Sequence, residues 1–403
     1  MVQIKKLFET NNQSNHHQIV GGDFELTSIP SNISDSYKLQ KFGSVGTWTS
    51  SGRASLAILL QDLVKRGIEQ IVLPSYLCSS ILLPIRKIGL KYSFYNVDRN
   101  LESVIEPQDK SAILLIHYFG WFNKLAIELR KRSSSESFYL IEDLTHAFLS
   151  DWYTWTSSSE FVFMSLRKFG PVPIGGWCSY TYDDLPISKE IESLAWKSIA
   201  ARLIRAQYVV EPSNWTDFDV EKFYLNLLHQ VEVFLDQNPT VCKLPKIAYD
   251  LIMGLNWHQI GMQRRSNWLD LHTMINGKVD ALITELPEDV VPLGYVIKCK
   301  NRDKLKDRLA KRHIFCPVHW QLPNIINEDN FPEYITTPSL IIRILVFLFI
   351  VPSNTIQPTI VPTFEILNIS LTSILHTIFS SMSGESIPSI ASFSSSIALY
   401  ITE

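Results

Sequence analysis

Two stretches of the chain decide the fold: Ile141-Glu-Asp-Leu-Thr-His-Ala147 and Phe161-Val-Phe-Met-Ser-Leu-Arg-Lys168. Apolar runs at residues 138–141 and 161–164 have the length and continuity that predict buried parallel strands. Asp143 follows the first run, and Lys168 follows the second after a short turn. Because open α/β sheets bind ligands at the carboxyl ends of their strands, we expect this acid and this amine to share one crevice.

An acid and an amine at two such strand ends predict a site for pyridoxal 5'-phosphate (PLP). Lys168 would form the Schiff base and then move a proton at the substrate carbon, while Asp143 would pair with the pyridinium nitrogen. His146, three residues after Asp143, would stack against the cofactor ring or orient it. The alternatives are a solvated surface lysine and a histidine that only packs in the core.

A candidate phosphate site lies at the start of a predicted helix. Apolar residues recur at helical spacing over residues 54–66, which places Ser51 and Gly52 at the helix N-terminus. Free backbone N–H groups and the helix dipole favour an anion there, and a glycine lets the backbone approach it closely. The alternative is an ordinary N-cap.

Strand and helix patterns alternate along the first half of the chain, which predicts a doubly wound α/β sheet. Strands are predicted at residues 71–74, 92–97, 112–116 and 177–182, and helices at 79–88, 123–132, 188–210, 220–235 and 257–274. His117 follows the third of these strands and is expected to hydrogen-bond the next strand. We divide the chain into an N-terminal arm (1–40), a large domain (41–240), a small C-terminal domain (241–335) and an atypical tail (336–403).

Composition excludes several classes of protein. The formal net charge of −3 argues against a nucleic-acid-binding protein, which would carry a basic face. Five cysteines without a CxxC pair fit a reducing cytosol better than a disulfide framework or a zinc site, so no metal is expected. The polar first residues predict no secretory signal, and no stretch before Leu340 resembles a membrane span. We therefore expect a cytoplasmic protein without a nucleic-acid or membrane partner.

Six short motifs, in this order, resemble the DegT-type sugar aminotransferase family, over residues 43–323. They are Ser51-Gly-Arg-Ala-Ser-Leu56, Leu73-Pro-Ser-Tyr76, His117-Tyr-Phe-Gly120, Glu142-Asp-Leu-Thr-His-Ala147, Ser165-Leu-Arg-Lys168 and Gly175-Gly176. The resemblance implies the PLP-dependent transferase fold of aspartate aminotransferase: a large α/β domain with a mostly parallel sheet flanked by helices, plus a smaller α+β C-terminal domain. A shortened Ser-to-Lys spacing, and Ile174 where relatives often have an acid, indicate a divergent branch.

The resemblance also implies roles for the residues around the phosphate. The family binds the PLP phosphate at the positions of Ser51 and Gly52, and Ser165 is expected to bond the same group. Arg53 stands where many relatives have threonine; it would pair with the phosphate or a substrate anion, or remain a surface cation.

Two further positions are carried over from the family. An aromatic residue stacks on the pyridine ring in relatives, but Cys78 aligns at that position here, so Tyr76 is the neighbouring aromatic that would replace it. His319 aligns near the substrate; a buried structural histidine is the alternative.

By analogy, the chain is expected to be an aminotransferase that aminates a nucleotide-linked keto-sugar, with glutamate as donor, by ping-pong transamination. Relatives are homodimers, and their amino sugars enter surface polysaccharides or glycosylated natural products. The alternatives are another PLP enzyme, such as an amino-acid lyase, and a non-catalytic or decayed relative with a binding role.

The tail is unlike the rest of the chain. From Thr336 onward the only charged residues are Arg343, Glu365, Glu385 and Glu403, and isoleucine, serine and threonine dominate. The ending typical of the family is not recognisable, and we hypothesise a shift of reading frame near residues 332–338. A tail that binds a membrane surface is the alternative, although it lacks basic residues.

Overall fold

The computed structural model describes residues 20–30, 39, 46–151, 160–182, 184–210, 219–237, 241–299, 302–320 and 344–348. The backbone groups into two units, Met1–Ile356 and Gln357–Glu403, and all described residues belong to the first. The large- and small-domain boundaries expected from the sequence stay a prediction.

The main sheet of the described chain has seven strands in the order β2-β8-β7-β6-β5-β3-β4. Their bounds are β2 (Thr47–Thr49), β3 (Gln70–Pro74), β4 (Lys91–Tyr95), β5 (Ser111–Ile116), β6 (Phe138–Asp143), β7 (Phe161–Ser165) and β8 (Gly176–Cys178). Strands β7, β6, β5, β3 and β4 run parallel, whereas β8 and β2 pair antiparallel at one edge. The expected α/β fold with a mostly parallel sheet is therefore confirmed.

Helices follow the parallel strands β3 and β5, and further helices follow the sheet along the chain. The α-helices of the described chain are α1 (Gly52–Lys65), α2 (Leu82–Ile88), α3 (Leu125–Ser133), α4 (Lys189–Val210), α5 (Val220–Gln237), α6 (Lys246–Gly254), α7 (Trp257–Ile275) and α8 (Arg302–Ala310). None of these described helices is long and apolar enough to cross a bilayer.

The central strands are buried because they are apolar along their whole length. Every residue of β5 is buried, as are five of the six residues of β6, so helices cover both faces of the sheet. This continuous burial is the reason that the strands could be predicted from unbroken apolar runs rather than from alternation. The predicted strand at 177–182 is shorter than expected, since β8 ends at Cys178.

A second, antiparallel sheet has the order β12-β10-β9, with β9 (Asp280–Ala281), β10 (Gly294–Lys298) and β12 (Ile344–Leu348). A short parallel pair joins β1 (Val20–Gly21) to β11 (Ile314–Phe315). Strand β12 belongs to the low-charge tail and pairs with β10 along five residues. The proposed frameshift region, 332–338, lies outside the described residues, and the frameshift remains a hypothesis.

Candidate active site

Asp143 is the last residue of β6 and lies at the carboxyl edge of the sheet. Its side chain is buried, and its Oδ1 accepts a hydrogen bond from the backbone N–H of Thr145 at 2.8 Å. Burial raises the pKa of Asp143 to about 6, although the hydrogen bonds from Thr145 and the positive charge of Lys168 act in the opposite direction. The carboxyl group is therefore mainly ionised at neutral pH.

Lys168 lies beside Asp143 because their strands are parallel neighbours. In the register of β6 and β7, Asp143 is opposite Phe163, and the chain then turns through the short 3-10 helix Leu166–Lys168. The positive charge of Lys168 acts on the pKa of Asp143, His146 and His319. The structure thus brings together the acid and the amine that the sequence placed at two strand ends.

His146 lies in a stack of rings. Its imidazole is 5.4 Å from the ring centroid of Phe119 and 5.0 Å from that of Trp320, with interplanar angles of 30° and 21°. The side chain is 2 % exposed, and neither ring nitrogen has a hydrogen-bond partner among the described residues. Burial, followed by the charge effects of His319 and Lys168, lowers the pKa of His146 well below its ordinary value, so the imidazole is neutral.

His319 faces His146 edge to face, with 5.2 Å between ring centroids. Burial, with a smaller contribution from Lys168, lowers the pKa of His319 to about 3, and its Nδ1 is buried without a hydrogen-bond partner in the described chain. Two neutral imidazoles with unsatisfied nitrogens therefore lie next to the acid and the amine. Such nitrogens are costly to bury, and they mark a place built for a polar ligand.

Tyr76 does not present a free ring face as a simple stacking residue would. Its ring is 5.6 Å from that of Tyr118 and 5.2 Å from that of Trp320, and its hydroxyl donates to the backbone oxygen of His319. Cys78 is half-buried, with its Sγ 3.0 Å from the hydroxyl of Ser80. Tyr76 thus holds the His319 segment, and its role toward a cofactor ring stays a prediction.

The candidate phosphate site is formed where three backbone segments pack tightly. Ser51 is the N-cap of α1, and its side chain accepts from the N–H of Ala54 at 3.2 Å. A Cβ atom on Gly52 would lie 2.9 Å from the Cβ of Ser165, and one on Gly176 would lie 2.4 Å from the backbone of Ser51. The structure therefore brings Ser51, Gly52 and Ser165 together, and only glycine allows the close approach at positions 52 and 176.

Arg53 has a protein partner. Its guanidinium forms an ion pair with Asp236 of α5. One turn earlier on the same helix, Glu232 pairs with Arg167, the neighbour of Lys168. Arg53 is largely buried and is paired with an exposed carboxylate. Its pairing with a phosphate or a substrate anion stays a prediction, as does the alternative of a surface cation.

The expected structural role of His117, a hydrogen bond to the next strand, is confirmed. Its Nε2 is 2.8 Å from Glu142 on the neighbouring strand β6, and its Nδ1 accepts from the N–H of Asn123 at 3.1 Å. Arg130 donates to both oxygens of the same carboxylate, at 2.8 and 2.6 Å. Burial would raise the pKa of Glu142, but hydrogen bonds from His117 and Arg130 outweigh it and lower the pKa to about 2.

Sequence reasoning assigned no role to Thr145 or Phe119. Thr145 connects two parts of the site, because its N–H donates to Asp143 and its hydroxyl accepts from the N–H of Ser165 at 3.1 Å. Both residues lie within the quoted motifs, which was the only available signal. No group of three or more His, Cys, Asp or Glu side chains in the described ranges is arranged to hold a metal ion.

No protein-family model matches the chain, and neither does any curated protein.

Solved structures of sugar aminotransferases do resemble it. Streptococcus pneumoniae Spr1654, assigned as a sugar aminotransferase and solved in its PMP form, is 14% identical over 81% of this chain and 87% of that chain, with a TM-score of 0.52. Micromonospora echinospora CalS13, also a sugar aminotransferase, is 14% identical over 80% and 95%, with a TM-score of 0.50. S. venezuelae DesV, solved in complex with a ketimine intermediate, is 14% identical over 91% and 92%, with a TM-score of 0.50. The chain therefore has the PLP-dependent aminotransferase fold of these sugar aminotransferases, built on a mixed seven-stranded sheet flanked by helices.

Proposed function

We propose that the protein is a PLP-dependent aminotransferase that transfers an amino group from an amino acid, with glutamate as the expected donor, to a nucleotide-linked keto-sugar. The observation that carries the proposal is the meeting of Asp143 and Lys168 at the carboxyl ends of adjacent parallel strands, beside buried His146. The substrate class and the ping-pong order rest on the family resemblance, as do a homodimeric assembly and a cytoplasmic location.

The residues of this site fit PLP. The cofactor supplies an electron sink: when bound, its protonated pyridine ring withdraws electrons from the carbon that gains or loses the amino group. Asp143, ionised at neutral pH, would accept a hydrogen bond from the pyridine nitrogen and keep it protonated. Ser51, Gly52 and Ser165 offer hydroxyl and backbone groups to the phosphate.

Lys168 would hold the cofactor covalently and then carry the proton. Once released from the cofactor, its amine would serve as the base that removes a proton from the substrate carbon and as the acid that gives it back. Neutral His146 stacks on Phe119 and Trp320. It would help to orient the cofactor ring, and because it is neutral it would add no positive charge that competes with Lys168.

The first experiment is borohydride reduction of the protein purified with PLP, read by absorption and by mass spectrometry of peptides. A pyridoxyl group fixed on Lys168 is the expected result. Lys168→Ala should lose it, and Lys246→Ala, which removes an exposed lysine paired with Asp250, should retain it. A folded protein without any attached pyridoxyl group would contradict the proposal and favour a non-catalytic relative.

Substrate specificity requires a second assay. Release of more than one equivalent of 2-oxoglutarate per active site should require an added nucleotide-linked keto-sugar, because the first equivalent forms from glutamate alone in a ping-pong reaction. The amino group should appear on that sugar. Consumption of an amino acid alone, with elimination of its side chain, would instead identify a lyase.

A further inference from the structure

Arg264 is a buried arginine without an acidic partner. It lies on α7 and is 1 % exposed. Burial lowers its pKa to about 9, and no charged group of the described chain offsets this effect. A buried cation of this kind is costly, and a hydrophobic side chain of similar volume would fill the space at lower cost.

The two terminal nitrogens of Arg264 bind two separate segments of the chain. One donates to the backbone oxygen of Phe169 at 3.1 Å, directly after Lys168, and the other donates to the backbone oxygen of Leu293 at 2.8 Å. The guanidinium also lies over the ring of Phe169, 4.8 Å from its centroid. A planar guanidinium can bridge two carbonyl groups in this way, whereas a lysine ammonium on a flexible stem cannot hold the same geometry.

The second segment leads to the other side of the active site. The N–H of Leu293 donates to the backbone oxygen of Phe119 at 2.7 Å. Phe119 has a backbone φ of +55° and stacks on His146. Arg264 is therefore connected by hydrogen bonds to the turn that carries Lys168 and, through Leu293, to the ring that packs on His146.

We propose that Arg264 is a positioning residue that fixes the turn bearing Lys168 relative to the stack of Phe119 and His146. The proposal extends the proposed function, since it concerns how the PLP-bearing lysine is held. Arg264 does not contact the reacting groups itself. Its effect is to restrict the backbone next to Lys168, so that the amine keeps one position during attachment to PLP and proton transfer.

Other buried arginines provide a matched control. Arg205 is 4 % exposed and bonds Glu25, the backbone oxygen of Gly21 and the hydroxyl of Tyr224, none of which belongs to the lysine turn. Arg205→Lys and Arg264→Lys therefore make the same chemical change at two buried sites, only one of which touches the residue after Lys168.

The test is hydrogen–deuterium exchange of the full chain without PLP, followed by PLP attachment. In Arg264→Lys and Arg264→Met, amides of residues 166–172 should exchange roughly tenfold faster or more, the factor expected when a hydrogen bond from a charged donor is lost. Peptides of β5 and β6 should be unchanged. The rate of borohydride-fixed PLP attachment to Lys168 should fall by a similar factor, and Arg205→Lys should change neither measurement.

Several outcomes would overturn the inference. Faster exchange spread evenly over the whole protein would show that Arg264 only stabilises the fold, and unchanged exchange at residues 166–172 would show that it does not hold the turn. If Arg264→Met fails to fold, the exchange rates of residues 166–172 in Arg264→Lys are the test. If neither variant folds, exchange in the wild-type protein is the test. Residues 166–172 should then be protected, and exchange as fast as that of exposed loops would contradict the proposal. Absence of PLP attachment in the wild type would refute the proposed function alone, since the exchange measurement needs no PLP.

Discussion

Glu142 and Asp143 are neighbours on one strand, yet their carboxyl groups have pKa values shifted in opposite directions. Both are buried, and burial favours the neutral form of each. Glu142 points to the side where His117 and Arg130 bind it, and its pKa falls to about 2. For Asp143 the hydrogen bonds from Thr145, with smaller charge effects of His117 and Lys168, only partly offset burial, and its pKa rises to about 6. Alternation along a strand therefore separates a structural carboxylate from the candidate catalytic one.

The first prediction concerns the pH dependence of stability through Asp143. Its pKa is about 6 in the folded protein against an ordinary 3.8, so the folded state binds more protons than the unfolded state between these values. The free energy of unfolding should therefore rise as the pH falls from about 6 to 4, by about 3 kcal/mol at most. Asp143→Asn should remove this rise, which urea unfolding at several pH values would measure. An identical profile in both proteins would contradict the assigned pKa.

The second prediction concerns Glu142. Removing its charge leaves His117 and Arg130 with a weaker buried partner, so Glu142→Gln should lower the free energy of unfolding by about 3 kcal/mol or more at neutral pH. The matched control is Glu128→Gln, because Glu128 forms an exposed ion pair with Arg132 and should change stability by less than about 0.5 kcal/mol. Equal effects of the two substitutions on the free energy of unfolding would show that the buried cluster stabilises the protein no more than an exposed ion pair does.

The stability that Glu142 contributes has the opposite pH dependence from that of Asp143. Its folded pKa lies below the ordinary value of 4.5, so this contribution is present above about pH 4.5 and is lost as the pH falls toward 2. In Glu142→Gln, the loss of stability over this range should be smaller than in the wild type. Acid unfolding followed by circular dichroism would measure the difference.

The third prediction separates stability from function at His146. No hydrogen bond of the described chain is lost when its ring nitrogens are removed, so His146→Phe should keep or raise the free energy of unfolding. The same change should weaken PLP binding by about tenfold or more, since the polar edge of the ring is lost. Thermal melting and titration with PLP would test both parts. Loss of stability with unchanged PLP binding would show that His146 only packs.

The fourth prediction concerns the close packing of Gly176 on the start of α1. An alanine Cβ would overlap the backbone of Ser51, so Gly176→Ala should lower the free energy of unfolding by about 2 kcal/mol or more and weaken phosphate-dependent binding of PLP. Gly261→Ala is the control, because its Cβ would make only ordinary contact with Val291 and alanine favours the helix. A Gly176→Ala protein as stable as Gly261→Ala would exclude tight packing at this position.

Local sequence determined the parallel strands and the ends at which Asp143 and Lys168 emerge. This succeeded because central strands of a parallel sheet are buried on both faces, so an unbroken apolar run marks each strand and the residue after it marks the ligand edge. Strand β2 and helix α6 were not predicted, since a three-residue strand and a nine-residue helix carry too little pattern.

Tertiary structure alone decided which side chains meet at the site and which charge states they adopt. Tyr76 and His319 are 243 residues apart, and Arg264 and Phe169 are 95 apart, so no local pattern records their contacts. The neutral state of His146 depends first on burial, among residues that include Phe119 and Trp320, and then on the charge effects of His319 and Lys168. Sequence determines which groups can ionise and where strands end, whereas burial and distant partners set the free energy of each ionised form, and both exist only after the chain has folded.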